Sequence, residues 1–309
     1  MISPINGVAE DMFMPRDSFP KIVMTILVKD EVDVIRENIE YHLSRGVDYF
    51  IVTDNDSSDG TTEILREYER KGVLHYIHQD GVYSQSEWVT QMARTAHLDH
   101  QADWVINNDA DEFWWHDCGC LKVALSNVSS RCEVVAARRH NMLLPAEVDE
   151  GADRVPFYER MIYRRQVSIN RIGKPLPGKV CSRGTDDVVV HAGAHSVSSP
   201  SLGEPCRSDI EIIHFPVRSR EQLERKVVNL GRSYEQNPQV DPVTGARPGN
   251  ASRRIYADYK QDPAILEKVL EQFVAKPLES DPDGGDFMVK DLRVRDAIVA
   301  DKVRAGLAE

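Results

Sequence analysis

Residues 22–60 read IVMTILVKDEVDVIRENIEYHLSRGVDYFIVTDNDSSDG, and this stretch decides the fold. Ile22–Val28 is an apolar run rich in β-branched side chains, the pattern of a strand buried on both faces. After Lys29-Asp30-Glu31, the residues Ile35, Ile39 and Leu43 recur every fourth position, which places them on one face of a helix. Gly46 closes that helix, as a residue tolerant of positive φ should. Tyr49 to Thr53 is a second short strand. It runs into Asp54-Asn55-Asp56-Ser57-Ser58-Asp59-Gly60, whose residue types all favour turns.

The pattern repeats downstream. Ile64, Leu65 and Tyr68 mark a second helix ended by Gly72, and Val73 to Ile77 a third strand. Ser86 to His100 predicts a third helix with Trp88, Val89, Met92, Ala93 and Ala96 as its apolar stripe. Trp104 to Ile106 is a fourth strand leading into Asn107-Asn108-Asp109-Ala110-Asp111-Glu112. Strands alternating with helices predict an α/β fold, a mostly parallel sheet with helices on both faces. Ligands of such sheets bind beyond the carboxyl ends of the strands. The polar clusters at 29–31, 54–59 and 109–112 all follow strand ends, so they converge on one rim.

The remainder is less regular. Glu133 to Ala137, Val188 to Val190 and Ile210 to Ile213 read as strands, the last two leading towards His191 and His214. Residues 140–185 carry Pro, Gly and Arg without a period and predict loops and short antiparallel pieces. A helix follows Ser219, with Leu223, Val227, Val228 and Leu230 on it. The organisation expected is a lead segment 1–20, an α/β domain 21–236, a Pro/Gly/Asn-rich linker 237–252 and a C-terminal helical extension 253–309. In that extension Ile265, Leu266, Val269, Leu270 and Phe273 form one apolar stripe, suited to packing on the domain, to dimerisation or to touching a membrane enzyme.

Composition narrows the functions. With 41% hydrophobic and 28% charged residues the 309-residue chain can bury a sizeable core. Lys plus Arg number 38 against 50 Asp plus Glu, a net charge of −12 that argues against nonspecific nucleic-acid binding and against an anionic membrane surface. The opening MISPINGVAEDMFMPRDSFP lacks a basic patch followed by an apolar run, so no secretory signal is expected. No apolar run approaches the ~20 residues of a membrane span, so membrane association is expected only through a partner or a surface helix. The five cysteines, Cys118, Cys120, Cys132, Cys181 and Cys206, are odd in number and irregularly spaced, which does not read as a disulfide framework and suggests a cytoplasmic location. His116-Asp117-Cys118-Gly119-Cys120 lacks the second cysteine pair that a zinc site would need.

Asp109-Ala110-Asp111 carries the clearest chemistry. Two carboxylates two residues apart at a strand end can reach one hard divalent cation, Mn²⁺ or Mg²⁺, through oxygen ligands. Crowded like charges also require a cation among them.

The segment ILVKDEVDVIRENIEYHLSRGVDYFIVTDNDSSDGTTEIL, followed by DWVINNDADEFWW and later IIHFPVRSREQLERK, resembles family 2-type glycosyltransferases of GT-A fold, in particular the subgroup with a D-A-D-E-F-like motif. The resemblance spans roughly residues 20–230. It departs from the family where the usual Asn-Glu after the first strand is Asp30-Glu31. It implies a metal-dependent transferase that moves a sugar from a nucleotide-diphosphate donor, with UDP-sugar favoured over GDP- or dTDP-sugars, to a hydroxyl of a glycan, lipid-linked or small-molecule acceptor. It also implies inversion at the anomeric carbon. Glu31 and Asp54 would lie by the base and ribose, with Asp59 in the same donor loop. Asp109, Asp111 and His214 would serve the metal, with His195 as the alternative histidine. Arg94, Lys179, Arg218 and Lys226 are candidate donor or phosphate contacts. Inversion needs a base for the acceptor hydroxyl, and Asp186, Asp187, Asp149 and Glu150 are its candidates, with Glu112 bracing the loop. Trp114 and Trp115 offer faces on which a sugar can stack or the core can pack.

Two rivals remain at this stage. A sugar-nucleotide nucleotidyltransferase also uses an α/β sheet and acidic metal ligands, but expects a Gly-rich basic loop where Lys29-Asp30-Glu31 stands. The other rival is a non-catalytic domain that binds nucleotide or glycan.

Overall fold

The computed structural model describes residues 19–81, 83–146, 155–169, 175–237, 249–275 and 288–307. The first half follows the expected alternation: β1 (Ile22–Val28), α1 (Ile35–Ser44), β2 (Tyr49–Asp54), α2 (Thr61–Arg70), β3 (Leu74–His78), α3 (Gln85–Leu98) and β4 (Trp104–Asn108). The strands pair in parallel in the order β4-β1-β2-β3. Alternate side chains of β1 and β2 separate into two apolar layers. Met24, Ile26, Phe50 and Val52 join one cluster with Ile35, Ile39, Leu65 and Tyr68 of α1 and α2. Val23, Ile51 and Val105 face the other way, onto Val89, Met92, Ala93 and Ala96 of α3. Trp88, expected in that stripe, is only partly buried. Gly46 has φ +94, the left-handed conformation its place after α1 called for.

The second half is antiparallel where it meets the first. The next elements are β5 (Glu112–Trp115), α4 (Leu121–Ser126), β6 (Val134–Leu143), α5 (Phe157–Arg160), β7 (Tyr163–Arg165) and β8 (Lys179–Arg183). After these come β9 (Val189–Val190), β10 (Val197–Ser198), β11 (Cys206–His214) and α6 (Arg220–Gln236). Strand β8 joins β4 to β6, antiparallel to both, while β11 runs parallel to β6 and antiparallel to β5. Strand β5 was not expected. Its four residues carry no period of their own, and their extended conformation comes from pairing with β11 across a hundred residues, Glu112 opposite His214.

The tail is more than a helical extension. Helices α7 (Asn250–Gln261), α8 (Ile265–Leu270) and α9 (Arg293–Arg304) are present, but β12 (Met288–Lys290) pairs with β7 and extends the sheet. Leu266, Val269, Val294 and Ile298 are buried in the main core, so the apolar stripe covers this chain's own domain. The tail is fastened by Arg293 to Glu211 (2.5 Å) and by Asp291 to Arg164 (2.7 Å), with Arg293 and Asp291 also paired to each other at 2.7 Å. The expected linker overlaps α7, which starts after Gly249 at φ +70, and its residues 238–248 lie outside the described residues.

The cysteine reading needs correction. Cys132 and Cys206 are disulfide-bonded, with Cα atoms 6.1 Å apart, tying the segment before β6 to the start of β11. Seventy-four residues separate them, so local spacing could not disclose the pair. Among the described residues no helix is long and apolar enough to cross a membrane.

Candidate active site

The carboxyl ends of β1, β2 and β4 open into a cleft of about 470 Å³. Its floor is Leu27 to Glu31, Asn55 and Asp109 to Asp111. Helix α6 closes one side with Lys226, Asn229, Ser233 and Tyr234, and the far wall holds Arg139, His195 and His214. The convergence of the three acidic loops thus holds for the first and third. From the second loop it is Asn55, not the aspartates, that lines the cleft.

The Asp109-Ala110-Asp111 turn is held by α1. Asn38, wholly buried, donates its amide to the carbonyls of Ala110 (2.9 Å) and Glu112 (2.8 Å). His42 accepts the Trp114 N–H at Nε2 (3.1 Å) while Nδ1 contacts the Asn38 carbonyl at 2.8 Å. Burial drives the His42 pKa down to about 3, so the ring is neutral and its acceptor nitrogen is permanent. Trp114 is core, its indole N–H donating to Asn108 at 2.9 Å. Trp115 donates to Asp117, and neither tryptophan lines the cleft.

Asp109, Asp111 and Glu31 each meet a cation. Asp111, 2% exposed, meets Lys226 Nζ at 2.6 Å, His214 Nε2 at 3.3 Å and Arg218 Nη1 at 3.7 Å. Burial opposes its ionisation, but Lys226, His214 and Arg218 outweigh it and hold the carboxyl well below its ordinary range. Asp109 meets Lys179 at 2.7 Å and is likewise held down against burial. Burial raises Glu31 despite Arg218 and Lys226. His214 Nδ1 lies 2.7 Å from Asn141 Oδ1, which turns Nε2 towards Asp111.

Several expected contacts lie elsewhere. Lys179 is buried beneath the cleft between Asp109 and Glu112 (2.6 Å), so it braces the acidic turn and cannot reach a phosphate in the cleft. Glu112 is fully buried between Lys179 and Arg139, a brace as expected. Arg218 is also buried, clamping Asp33 (2.7 Å) and Glu31, and is not a cleft residue. Asp54 accepts from Ser57 N–H, Thr62 and Tyr76, and Asp59 from Val32 N–H and Thr61. Both aspartates hold their loop together and neither lines the cleft. Arg94 donates to the Val188 carbonyl on the α3 face, outside the cleft. Asp187 accepts from Thr185 (2.6 Å), Ser201 (3.2 Å) and Ser199, Asp186 is exposed, and neither reaches the cleft. Asp149 and Glu150 lie outside the described residues.

Other cleft residues were not anticipated. Asn229, Leu230 and Ser233 share one face of α6 with the expected Lys226, and that i, i+3, i+4, i+7 spacing was the available signal. Asn229 donates to Asp30 at 2.6 Å, and Tyr83 meets Tyr234 edge-on with centroids 5.3 Å apart. Among the described residues no three His, Cys, Asp or Glu groups converge as a ready metal cage.

A parallel α/β half whose strand ends build an acidic cleft is the architecture expected of a GT-A-type glycosyltransferase. Residues 23–117 match the model of the protein family described as glycosyltransferase family 92, so the chain carries a glycosyltransferase domain. The match speaks for the class and not for the D-A-D-E-F subgroup of family 2. No curated protein matches the chain. Among solved structures, S. aureus TarS 1-349 in complex with UDP aligns at 11% identity and a TM-score of 0.37, over 93% of this chain and 83% of that one. Glucosyl-3-phosphoglycerate synthase from Mycobacterium tuberculosis, in complex with Mn²⁺, UDP and glucosyl-3-phosphoglycerate, aligns at 14% and 0.31, over 53% and 57%. A longer TarS structure aligns at 13% and 0.37 over 68% of this chain, which spans 39% of that one. At these scores the likenesses are loose.

Proposed function

We propose that the cleft transfers a glycosyl group, with inversion, from a nucleotide-diphosphate sugar, UDP-sugar favoured, to a hydroxyl of a glycan, lipid-linked or small-molecule acceptor, with Mn²⁺ or Mg²⁺ as cofactor. The observation that carries this reading is Asp111. It is a buried carboxylate kept ionised in a cleft at strand carboxyl ends, with an imidazole nitrogen and a lysine converging on it.

The donor set suits a divalent ion. His214 is oriented through Nδ1 as metal-bound histidines are, and Asp109 and Asp111 supply ionised oxygens. Mg²⁺-type sites use one or two carboxylates plus substrate phosphates instead of an all-protein cage. Asp111 and His214 would hold the ion, with Asp109 beside them. Such an ion neutralises charge on a departing diphosphate when bound.

The chain's own residues supply the rest. Lys226 already neutralises Asp111 and, facing the cleft, can exchange that partner for a phosphate oxygen. Lys29, Asp30 and Asn55 form the nucleoside end. Lys29 and Asp30 are locked to the second loop through the Asn55 and Asp56 carbonyls and the Ser58 N–H. Tyr83 and Tyr234 offer aromatic surface at the same cleft.

The test is release of nucleoside diphosphate from UDP-, GDP- and dTDP-sugars with Mn²⁺ or with chelator. Metal-dependent release from at least one donor is expected. Equal rates with chelator would remove the metal, and no release from any donor would remove the transferase reading.

A further inference from the structure

Every carboxylate in the described cleft is engaged. Asp30 accepts from Ser58 N–H and Asn229, Glu31 is clamped by Arg218, Asp109 pairs with Lys179 and Asp111 with Lys226. A carboxylate held by a cation or by N–H donors is a weaker base than a neutral imidazole, and a base for the acceptor hydroxyl also needs a free lone pair facing it. His195 has one. Its Nδ1 lies 2.7 Å from the Gly178 carbonyl, an acceptor only, so Nδ1 carries the ring proton and Nε2 is the basic nitrogen. Nε2 has no hydrogen-bond partner among the described residues, and the ring lines the cleft with Arg139, Asp109 and His214.

The backbone beside it keeps this nitrogen uncovered. Gly193 has φ +73, and a Cβ built there would lie 2.7 Å from Nε2 and 2.8 Å from Cδ2 of His195. Any residue but glycine would both strain the turn and cover the nitrogen.

We propose that His195 is the general base of this cleft, deprotonating the acceptor hydroxyl through Nε2. This rests on the transferase reading above. In the step, the acceptor O–H proton moves to Nε2 as the oxygen bonds the anomeric carbon. The anomeric C–O bond to the diphosphate breaks, its electron pair leaves with the nucleoside diphosphate, and the imidazolium later returns its proton to solvent. Burial lowers the His195 pKa from its ordinary value. The Gly178 hydrogen bond and Glu112 of β5 oppose this, while Arg139 of β6 and Lys179 of β8 reinforce it. The ring is therefore neutral, and able to accept, at neutral pH.

The test uses the full chain with Mn²⁺ and UDP-glucose, UDP-galactose, UDP-N-acetylglucosamine and GDP-mannose, water serving as acceptor, across pH 5 to 9. His195→Gln removes the imidazole base while keeping a polar side chain of similar size. It should lower turnover on the order of 100-fold or more while UDP affinity stays within about threefold, and it should erase an acidic limb centred below pH 6.5. Gly193→Ala should reduce turnover at least tenfold with UDP affinity retained. If His195→Gln keeps more than a tenth of the rate, or keeps the acidic limb, the assignment fails. A parallel loss of UDP affinity would make His195 a positioning residue and equally overturn it. A wild-type chain inactive on all four donors would instead refute the transferase reading, so the two failures are separable.

Discussion

Lys179→Met isolates the contact that holds the acidic turn in place. The ammonium sits 2.7 Å from Asp109 and 2.6 Å from Glu112, with the lysine and glutamate side chains fully buried. At an effective dielectric of about 20, a pair at that distance attracts by roughly 6 kcal/mol before desolvation is counted. Desolvation reduces the net, and removing one partner of a buried pair typically costs about 3–5 kcal/mol, because the charge left behind is uncompensated. Glu112 retains Arg139 at 3.1 Å and Asp109 keeps partial contact with solvent, so the lower figure applies, about 3 kcal/mol. At roughly 2–4 °C per kcal/mol the midpoint should fall by about 6–12 °C. Urea and thermal unfolding followed by tryptophan fluorescence measure it. Adding Glu112→Gln removes the stranded charge and should recover about 1 kcal/mol. A loss below about 1 kcal/mol for the single variant, or no recovery in the double, would refute the role of Lys179 as internal counterion.

Other expectations concern the same network and the tail. Asp111→Asn should abolish metal-dependent UDP binding and also cost about 1–3 kcal/mol of stability, since Lys226 and Arg218 lose a buried partner. Calorimetry and urea melts on one preparation read both, and Mn²⁺-dependent affinity unchanged in a folded variant would contradict the assignment. Asp291 and Glu211 have pKa values lowered to about 2 from 3.8 and 4.5. For Asp291, burial is overcome by Arg293 and Arg164, and for Glu211 the His140 hydrogen bond leads, with Arg293 beside it. Both folded values lie below the unfolded ones. The stability they lend is therefore complete above about pH 5 and should be lost between there and pH 2, roughly 2 kcal/mol for Asp291. Acid titration with Arg293→Met, in which that loss should shrink, checks it. Reducing the Cys132–Cys206 bond opens a loop of 74 residues and should cost about 4 kcal/mol on the chain-entropy estimate; identical urea midpoints with and without dithiothreitol would contradict a formed disulfide.

What could be read from the sequence was what is local. Strands β1 to β4 and helix α3 lie within two residues of the expected bounds, and α1 and α2 carry the apolar residues expected of them. Strand β5 and strand β12 exist only through partners far along the chain, β11 and β7, and no short window holds that information. The site divides in the same way. Asp109, Asp111, His214, His195 and Lys226 lie in the cleft where strand-end reasoning and family resemblance placed them. Asp54 and Asp59 do not, because a turn aspartate has a second use, accepting N–H groups of its own loop, and residue type does not distinguish that from facing a ligand. Lys179 and Arg218, candidate phosphate contacts by residue type, are buried counterions. Each lies next to a strand or helix end, and only the packed structure shows that the ammonium and guanidinium point to Asp109, Glu112, Glu31 and Asp33 and not into the cleft.

The most direct test of a metal-bridged nucleotide cleft is calorimetric titration of UDP into the protein, once with Mn²⁺ and once with chelator. The account predicts binding with Mn²⁺ that is lost with chelator and lost again in Asp111→Asn. Binding of equal strength in chelator would contradict the metal's part, and absence of binding for UDP, GDP and dTDP alike would contradict the nucleotide site itself.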